Sequence, residues 1–307
     1  MMCDAPRYAD LPADATLCVD VFTMDGRGGN PCPIVRDATA MDAPTMQAIA
    51  RAQGHEAAFV QPQSDAESDF SIRFFVPERE VEMCGHATLG SLWLLRQSGM
   101  ISDGLWRVRT RSGIVHGRVE GLSIQLSQPA ATIEVLDIAH RAPLLDCLGL
   151  VPEDLASPQL CNASTSRSKT LIQLASASIL NRLQPRWADV RALCEQLGST
   201  GLYPFAQLSS ETSGTPARVF EARQFPCASG YPEDAATGIA ATALAGALSV
   251  FGLDVPPSTT ITVIQGRAMG RPSRLHVMPE EAKAGAPERF WLGGDVTPQI
   301  NFFQPPH

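Results

Sequence analysis

The stretch "EMCGHATLG", residues 82–90, places a thiol, a glycine and an imidazole at the start of an apolar helix. A thiol at a helix N-terminus can ionise and act as a base or nucleophile, although Cys84 more often only packs there. Cys84 and His86 are also two metal ligands, but zinc needs three or four and spacing supplies no third, so we expect no metal. His86 either bonds locally or donates to a substrate carboxylate.

A second candidate lies in "RAQGHEAAFV", where Gly54 is typical of a helix stop and Glu56 follows it, just before the apolar segment "AAFV". Most glutamates at such a junction are solvated. A partly desolvated carboxylate is a stronger base, which suits a group that removes and returns a proton.

The third candidate is Asp234 in "PEDAATGIA", just before a run of small residues. This is an N-cap position, where an aspartate stabilises a helix by about 1 kcal/mol, and Glu233 adds charge to the same first turn. An acidic group there could equally hold a substrate amine or hydroxyl.

Composition limits the classes of partner. The chain has 307 residues, 44% of them hydrophobic, and a formal charge of −8 without a basic run. We therefore expect a globular protein with a small-molecule ligand, and neither nucleic acid nor a membrane as partner. The first fifteen residues do not have the pattern of a signal peptide, and eight scattered cysteines without C-x-x-C indicate free thiols in a cytoplasmic protein.

The two halves of the chain resemble each other. Strand patterns ("TLCVDVFT", "SIRFFVP") and helix patterns ("APTMQAIARAQG", "ATLGSLWLLRQSG", "GIAATALAGALSVFG") predict mixed α and β structure. Four residues recur at one constant distance along the chain: Gly99 as Gly252, Gly113 as Gly266, Gly117 as Gly270, and Arg118 as Arg271. We infer an N-terminal extension (1–15) and two similar α+β lobes (16–130 and 131–296), with 297–307 as a candidate to complete the first lobe.

If a pseudo-two-fold axis relates the lobes, the helix starts "CGHATLG" and "EDAATGIA" are expected to face each other across a cleft. Their backbone N–H groups, at Gly85 and Gly238, then form a site for an anion, most naturally a carboxylate. Alignment of "CGHA" with "AATG" places Ala235 opposite Cys84, and the nearest thiol is Cys227. A symmetric two-thiol racemase is therefore disfavoured.

Taken together, the motifs resemble those of the PhzF-like family, phenazine-biosynthesis-type isomerases that share the diaminopimelate-epimerase fold. The resemblance is carried by "VDVFTMDGRGGNPCPIV", "GHEAAFV", "IRFFVPEREVEMCGHATLG", "GYPEDAATG" and "IQGRAMGRPSRL". It implies two lobes, each a curved sheet around a central helix, assembled as a homodimer. It also implies a cofactor-free isomerase that shifts a proton on a conjugated cyclic hydroxy acid.

By the same resemblance, Glu56 matches the family's catalytic glutamate, His86 its substrate-holding histidine, and Asp234 its substrate-contacting aspartate. The family member that acts on dihydro-hydroxyanthranilate has serine where this chain has His55, and it reads T-G-S where this chain has Thr237, Gly238 and Ile239. Loss of a hydroxyl donor costs about 1 to 3 kcal/mol if its partner stays buried. These two departures argue against a phenazine precursor as the native substrate.

The leading hypothesis is an isomerase with Glu56 as a single general acid/base. In it, His86, Asp234, Thr237 and the helix starts at Gly85 and Gly238 orient a small carboxylate. One alternative is an epimerase or racemase that depends on the Cys84 thiol, and another is a non-catalytic protein that binds small carboxylates.

Overall fold

The computed structural model describes residues 8–62, 65–208, 218–227, 231–253, 255, 259–280 and 289–303, with side chains up to 299. The chain divides into two compact units. Unit 1 comprises Met1–Gly26, Asn30–Ser127 and Gly293–His307, and unit 2 comprises Arg27–Gly29 and Gln128–Leu292.

The elements of the first half of the chain are mostly strands. They are β1 (Thr16–Thr23), β2 (Asn30–Val35), α1 (Ala43–Gln53), β3 (Ala57–Gln61), β4 (Phe70–Phe75), β5 (Glu80–Val81), α2 (Gly85–Gln97), β6 (Gly104–Thr110), β7 (Gly113–Glu120) and β8 (Ser123–Gln128).

The second half has a similar mixture of elements. They are β9 (Thr132–Val135), α3 (Arg141–Leu148), β10 (Leu155–Ser164), β11 (Lys169–Leu174), α4 (Ala177–Asn181), α5 (Trp187–Leu197), β12 (Gly201–Gln207), β13 (Arg218–Ala222), β14 (Phe225–Pro226), α6 (Gly238–Ala247), β15 (Ile261–Gln265), β16 (Ser273–Glu280), β17 (Arg289–Gly293) and β18 (Asp295–Phe303). Short 3₁₀ turns span Tyr8–Asp10, Ile138–His140, Pro152–Asp154, Leu248–Phe251 and Arg267–Met269.

Helix α2 is the centre of unit 1. Strand β1 pairs antiparallel with β2 and β18, β2 parallel with β3, β3 antiparallel with β4, β4 parallel with β6, and β7 antiparallel with β6 and β8. Every residue of α2 from Ala87 to Leu95 is buried, and the helix packs against β1, β2, β3 and β7. A helix buried on all sides must be apolar all round, as "ATLGSLWLL" is.

Unit 2 repeats this topology around helix α6. Strand β10 pairs antiparallel with β11, β11 parallel with β12, β12 antiparallel with β13, β13 parallel with β15, and β15 antiparallel with β16. Helix α6 packs against β10, β11 and β16. The predicted α+β fold of two pseudo-symmetric lobes, each a curved sheet around a central helix, is confirmed.

The helix ends repeat as predicted, but the hairpin glycines do not. Gly99 and Gly252 both follow a central helix with φ near +70°. In contrast, Gly113 and Gly117 lie within strand β7, whereas Gly266 and Gly270 flank a 3₁₀ turn between β15 and β16. The second connection is longer, so the prediction that the two hairpins match residue for residue is wrong.

The segment before β1 is held by one buried arginine. Arg36 donates to the carbonyl oxygens of Tyr8, Leu11 and Pro12 and to Ser98 Oγ. At the other end of the chain, β18 pairs with β1 and belongs to unit 1. Residues 1–7 of the predicted extension and residues 304–307 lie outside the described residues. Within the described part of the chain, every helix is too short or too polar to cross a membrane.

The close approach of α2 to the sheet depends on Gly90. A Cβ atom there would lie 2.9 Å from Val21 Cγ2, 3.1 Å from Val19 Cγ2 and 3.3 Å from Ile34 Cδ1. We expect Gly90→Val to lower the free energy of unfolding by about 1 to 3 kcal/mol, because stiff neighbouring methyl groups must move. Chemical denaturation measures this. Gln97→Val, at the less buried end of α2, controls for the helix penalty of valine, and equal losses in the two variants would contradict the packing argument.

Candidate active site

Cys84 is the N-cap of α2. Its backbone is extended (φ −136°, ψ 117°) and its Sγ accepts a hydrogen bond from Ala87 N at 3.4 Å. Its carbonyl oxygen accepts from Thr88 N at 3.0 Å and from Thr88 Oγ1 at 2.7 Å. The thiol therefore takes the place of the hydroxyl or carboxylate that usually caps a helix, in agreement with a packed helix-start residue.

Glu56 and His86 meet beside this N-cap. Gly54 ends α1 in the left-handed conformation (φ 67°, ψ 15°), and two residues later Glu56 projects beside α2. Glu56 Oε2 lies 4.0 Å from His86 Nδ1, with 25% of the Glu56 side chain and 15% of the His86 side chain exposed. His86 Nδ1 in turn lies 3.2 Å from Cys84 Sγ. The carboxylate is close enough to the imidazole to act with it, yet too far for a direct hydrogen bond.

The thiol is not activated by the helix end. Burial, and next the negative charge of Glu56, raise the pKa of Cys84 well above its ordinary value. Burial and the same carboxylate also raise the pKa of the Cys32 thiol. Both thiols are neutral at neutral pH, because desolvation outweighs the effect of the helix end. Cys32 and Cys84 therefore give Glu56 uncharged, weakly polar neighbours.

The fold brings a third metal ligand to Cys84 and His86. The sequence offered only two ligands, Cys84 and His86, but the ligand atoms of Glu56, Cys84 and His86 all lie within 4.8 Å of one another. Glu56 is the third ligand that spacing along the chain did not reveal, because α1 and β3 carry it to the start of α2.

In unit 2, Asp234 supports the start of α6 without capping it directly. The N-cap is Thr237, and the Asp234 carboxylate accepts from Thr237 Oγ1 at 2.5 Å and from Ala236 N at 3.4 Å. The prediction of Asp234 as the N-cap is therefore wrong by three residues. Glu233 does not face the first turn either, since it forms a buried ion pair with Arg223 at 2.7 Å.

Sequence reasoning missed the residue that organises this turn, Gln265. Its Nε2 donates to the Asp234 carbonyl oxygen at 2.6 Å, and its Oε1 accepts from Thr237 N at 3.3 Å and from Tyr203 OH at 3.1 Å. Gln265 is completely buried at the end of β15. The sequence signal that could have identified Gln265 is a polar glutamine directly after the apolar segment "ITVI". The network fixes the backbone around Asp234.

The two units carry different chemistry at equivalent positions. The N-caps make Thr237 the counterpart of Cys84, and they pair Gly85 with Gly238 and His86 with Ile239. The predicted pairing of Cys84 with Ala235 is wrong by two residues, although the counterpart still lacks a thiol. Gly198 ends α5 as Gly54 ends α1, so Thr200 takes the place of Glu56.

The remaining predicted residues have clear positions. The structure brings Glu56, His86 and Gly85 together in unit 1, and Asp234, Thr237 and Gly238 together in unit 2. His55 is exposed, and Ile239 is partly buried in the first turn of α6.

Unit 2 also buries a cation, Lys169, at the start of β11. Lys169 is 5% exposed, and its Nζ lies 3.0 Å from Oγ1 of Thr200, the residue at the position equivalent to Glu56. Burial lowers the pKa of Lys169 to about 8, an effect that Arg167 increases and Asp234 opposes. This polar group follows no motif and was not predicted.

Comparison with known proteins identifies the family. The model of the family described as "phenazine biosynthesis-like protein" (PhzC-PhzF) matches residues 19–300. This chain is a member of the PhzF-like family. The match includes the segments that carry Glu56, Cys84, His86 and Asp234, and the predicted family is confirmed.

Its relatives are isomerases. The chain is 31% identical to the uncharacterised isomerase YddE of Salmonella typhimurium, over 91% of this chain and 94% of that protein. It is 32% identical to the trans-2,3-dihydro-3-hydroxyanthranilate isomerase of Pseudomonas aeruginosa, over 86% and 90% of the two chains. The crystal structure of a Bacillus anthracis PhzF-family protein superposes with a TM-score of 0.81 at 23% identity, covering 94% and 97%. The protein is an isomerase of this family. The predicted homodimer and cytoplasmic location stay predictions.

Lys169 makes stability depend on pH. Its pKa in the folded protein, about 8, lies below the ordinary 10.5, so below pH 8 both states hold the proton and the penalty for burying the charge is complete. Between about pH 8 and 10.5 the unfolded chain binds more protons, and this contribution to stability rises with pH. We expect Lys169→Met to stabilise the protein at pH 7 by about 2 to 3 kcal/mol.

This gain should disappear near pH 10.5, and urea denaturation at several pH values measures it. Arg191→Met, an exposed change in the same unit, serves as the control and should show no such trend. A gain in Lys169→Met that is equal at pH 7 and pH 10.5 would contradict the assignment.

Proposed function

We propose that this PhzF-family isomerase shifts a proton on a small, conjugated cyclic carboxylic acid, with the Glu56 carboxylate as its general acid/base. The observation that supports this most directly is the position of Glu56, with its Oε2 4.0 Å from His86 Nδ1 at the start of the buried helix α2. In the proposed reaction the carboxylate removes a proton from one carbon of the substrate and returns it to another on the same face. The protein needs no cofactor for this step, because the same group takes and gives the proton.

The surroundings of Glu56 suit such a shuttle. Cys32 and Cys84 are buried, neutral thiols beside it, so the environment is weakly polar and the protonated carboxylic acid is tolerated there after proton removal. The side chain is still 25% exposed, which leaves access for a substrate. A carboxylate that alternates between charged and neutral forms needs this balance.

The start of α2 can stabilise charge that develops on the substrate. The first N–H groups of a helix lack intrahelical acceptors and the end carries about half a positive charge. Gly85 opens the helix without a side chain, and an added Cβ there would reach only Leu126 at 4.0 Å, so little crowds the approach to this residue. His86, in the same turn, can donate to a substrate oxygen. Groups aimed at developing charge accelerate a reaction more than groups that bind the substrate alone.

We further propose that Asp234, Thr237 and Gly238 of unit 2 take part in substrate binding. The hydrogen bonds from Gln265 hold this turn in one conformation, as a binding turn requires. Ile239 stands where the phenazine-type enzyme has a hydroxyl donor, which favours a substrate other than trans-2,3-dihydro-3-hydroxyanthranilate, the compound in the name of the Pseudomonas aeruginosa relative.

The test is solvent deuterium exchange with a panel of cyclic unsaturated carboxylic acids that includes this compound. Glu56→Gln keeps the size of the side chain but removes the base, and we expect it to lower the rate of deuterium incorporation by about 100-fold or more. Glu120→Gln, an exposed change in the same unit, should exchange like the wild type. Exchange retained in Glu56→Gln would refute the role of Glu56.

The Glu56 hypothesis and the thiol-dependent alternative predict opposite results for replacement of Cys84. Because the thiol is buried, neutral and used as an N-cap, and because serine also caps helices well, we expect Cys84→Ser to fold and to retain exchange within about tenfold of the wild type. Circular dichroism checks the fold and the same deuterium assay checks the rate. Abolished exchange in a folded Cys84→Ser variant would favour a thiol-dependent epimerase.

A further inference from the structure

Three side chains of different chemical type converge at the start of α2. The ligand atoms of Glu56, Cys84 and His86 all lie within 4.8 Å of one another, and across the described ranges no other set of three His, Cys, Asp or Glu side chains comes together in this way. One oxygen, one sulfur and one nitrogen ligand make a set that zinc and similar cations bind.

The spacing of the three atoms is near that of a tetrahedral metal site. Zinc bond lengths of about 2.3 Å to sulfur and 2.0 to 2.1 Å to nitrogen and oxygen imply about 3.6 Å between sulfur and nitrogen, and about 3.4 Å between nitrogen and oxygen. Cys84 Sγ and His86 Nδ1 are 3.2 Å apart, and His86 Nδ1 and Glu56 Oε2 are 4.0 Å apart. The sulfur–nitrogen distance is thus too short and the nitrogen–oxygen distance too long, and the partly exposed Glu56 and His86 side chains must rotate to bind a metal.

The environment favours a borderline or soft cation. The thiol selects against Mg²⁺ and Ca²⁺, which prefer oxygen ligands. Three protein ligands leave a fourth position for water or for a carboxylate, as in zinc sites with an open position. The cluster also belongs to one unit, so the site needs no residue from elsewhere in the chain.

We propose that Glu56, Cys84 and His86 form a site for Zn²⁺ or a similar divalent cation, and that the bound cation blocks proton transfer by Glu56. Binding replaces the thiol proton of Cys84, which is released to solvent, by a bond from the thiolate sulfur to the metal. The carboxylate of Glu56 becomes a ligand and cannot act as a base at the same time. The blocking half of this proposal rests on the proposed function, whereas the metal site itself does not.

Cobalt is a spectroscopic probe for the site. The full-length protein, treated with chelator and then dialysed, is titrated with Co²⁺ near neutral pH. We expect a charge-transfer absorption from the thiolate in the near ultraviolet and intense visible bands typical of tetrahedral Co²⁺, saturating at about one cobalt per chain. Zn²⁺ should displace the cobalt, and a weakly buffered solution should report proton release.

Substitutions test whether Cys84 and His86 are ligands of the bound cobalt. Cys84→Ser, in which serine still caps α2, should lose the charge-transfer band, and His86→Gln should bind cobalt at least about tenfold more weakly. Cys227→Ser, which removes a half-buried thiol of unit 2, should keep the bands of the wild type. A wild-type protein without a thiolate band, or a band that persists in Cys84→Ser, would overturn the site.

Deuterium exchange then tests the blocking half separately. Zn²⁺ should abolish exchange in the wild type, a chelator should restore it, and Cys84→Ser should require at least about tenfold more Zn²⁺. If cobalt bands appear but saturating Zn²⁺ leaves exchange intact, the metal site stands and the claim that it blocks catalysis is wrong. If Glu56→Gln exchanges normally while the wild type binds cobalt as expected, the proposed function fails and the metal site survives.

Discussion

Burial of helix α2 is the constraint on which the candidate site depends. The helix is enclosed by β1, β2, β3 and β7, and the approach is close enough that Gly90 has no room for a Cβ against Val19 and Val21. A helix fixed along its whole length has a fixed N-terminus. Cys84, Gly85 and His86 therefore have defined positions in unit 1, although they lie where a chain enters a helix and where exposed helices usually fray.

The two units have the same strand topology but carry different side chains at equivalent positions. In unit 1, the positions before β3 and at the start of the central helix hold Glu56, Cys84 and His86, which can exchange protons or bind a cation. In unit 2 the equivalent positions hold Thr200, Thr237 and Ile239, which cannot exchange a proton near neutral pH. Polar groups in unit 2 are instead committed to one another, as in the hydrogen bonds of Gln265 to Thr237 and Asp234. Unit 1 thus holds the candidate reactive groups, whereas unit 2 holds a hydrogen-bonded polar turn and the buried Lys169.

Local patterns predicted the elements well because they depend on neighbours in the chain. Gly54 ended its helix as expected, and the apolar segments formed the two central helices. Relations between distant segments were less accessible. Glu56 and His86 are thirty residues apart, and only the pairing of β3 with β4 and the packing of α2 bring them together. The start of α6 was misplaced because Asp234 is a good capping residue by type, while the buried Gln265, far along the chain, supports Thr237 as the cap.

The thiol shows why position in a fold decides chemistry more than residue type does. A helix N-terminus lowers the free energy of a thiolate, and the sequence left that effect open for Cys84 as the alternative to simple packing. Yet Cys84 is 6% exposed and stands beside Glu56, and both desolvation and the nearby negative charge oppose ionisation. Two anions in one small, weakly polar space are unfavourable, so only one of the two groups can be charged without a cation. In the proposed reaction it is therefore the Glu56 carboxylate, and not the Cys84 thiol, that accepts the proton. A divalent cation reverses this limit by neutralising both charges, and for that reason the proton and the metal compete for the same atoms.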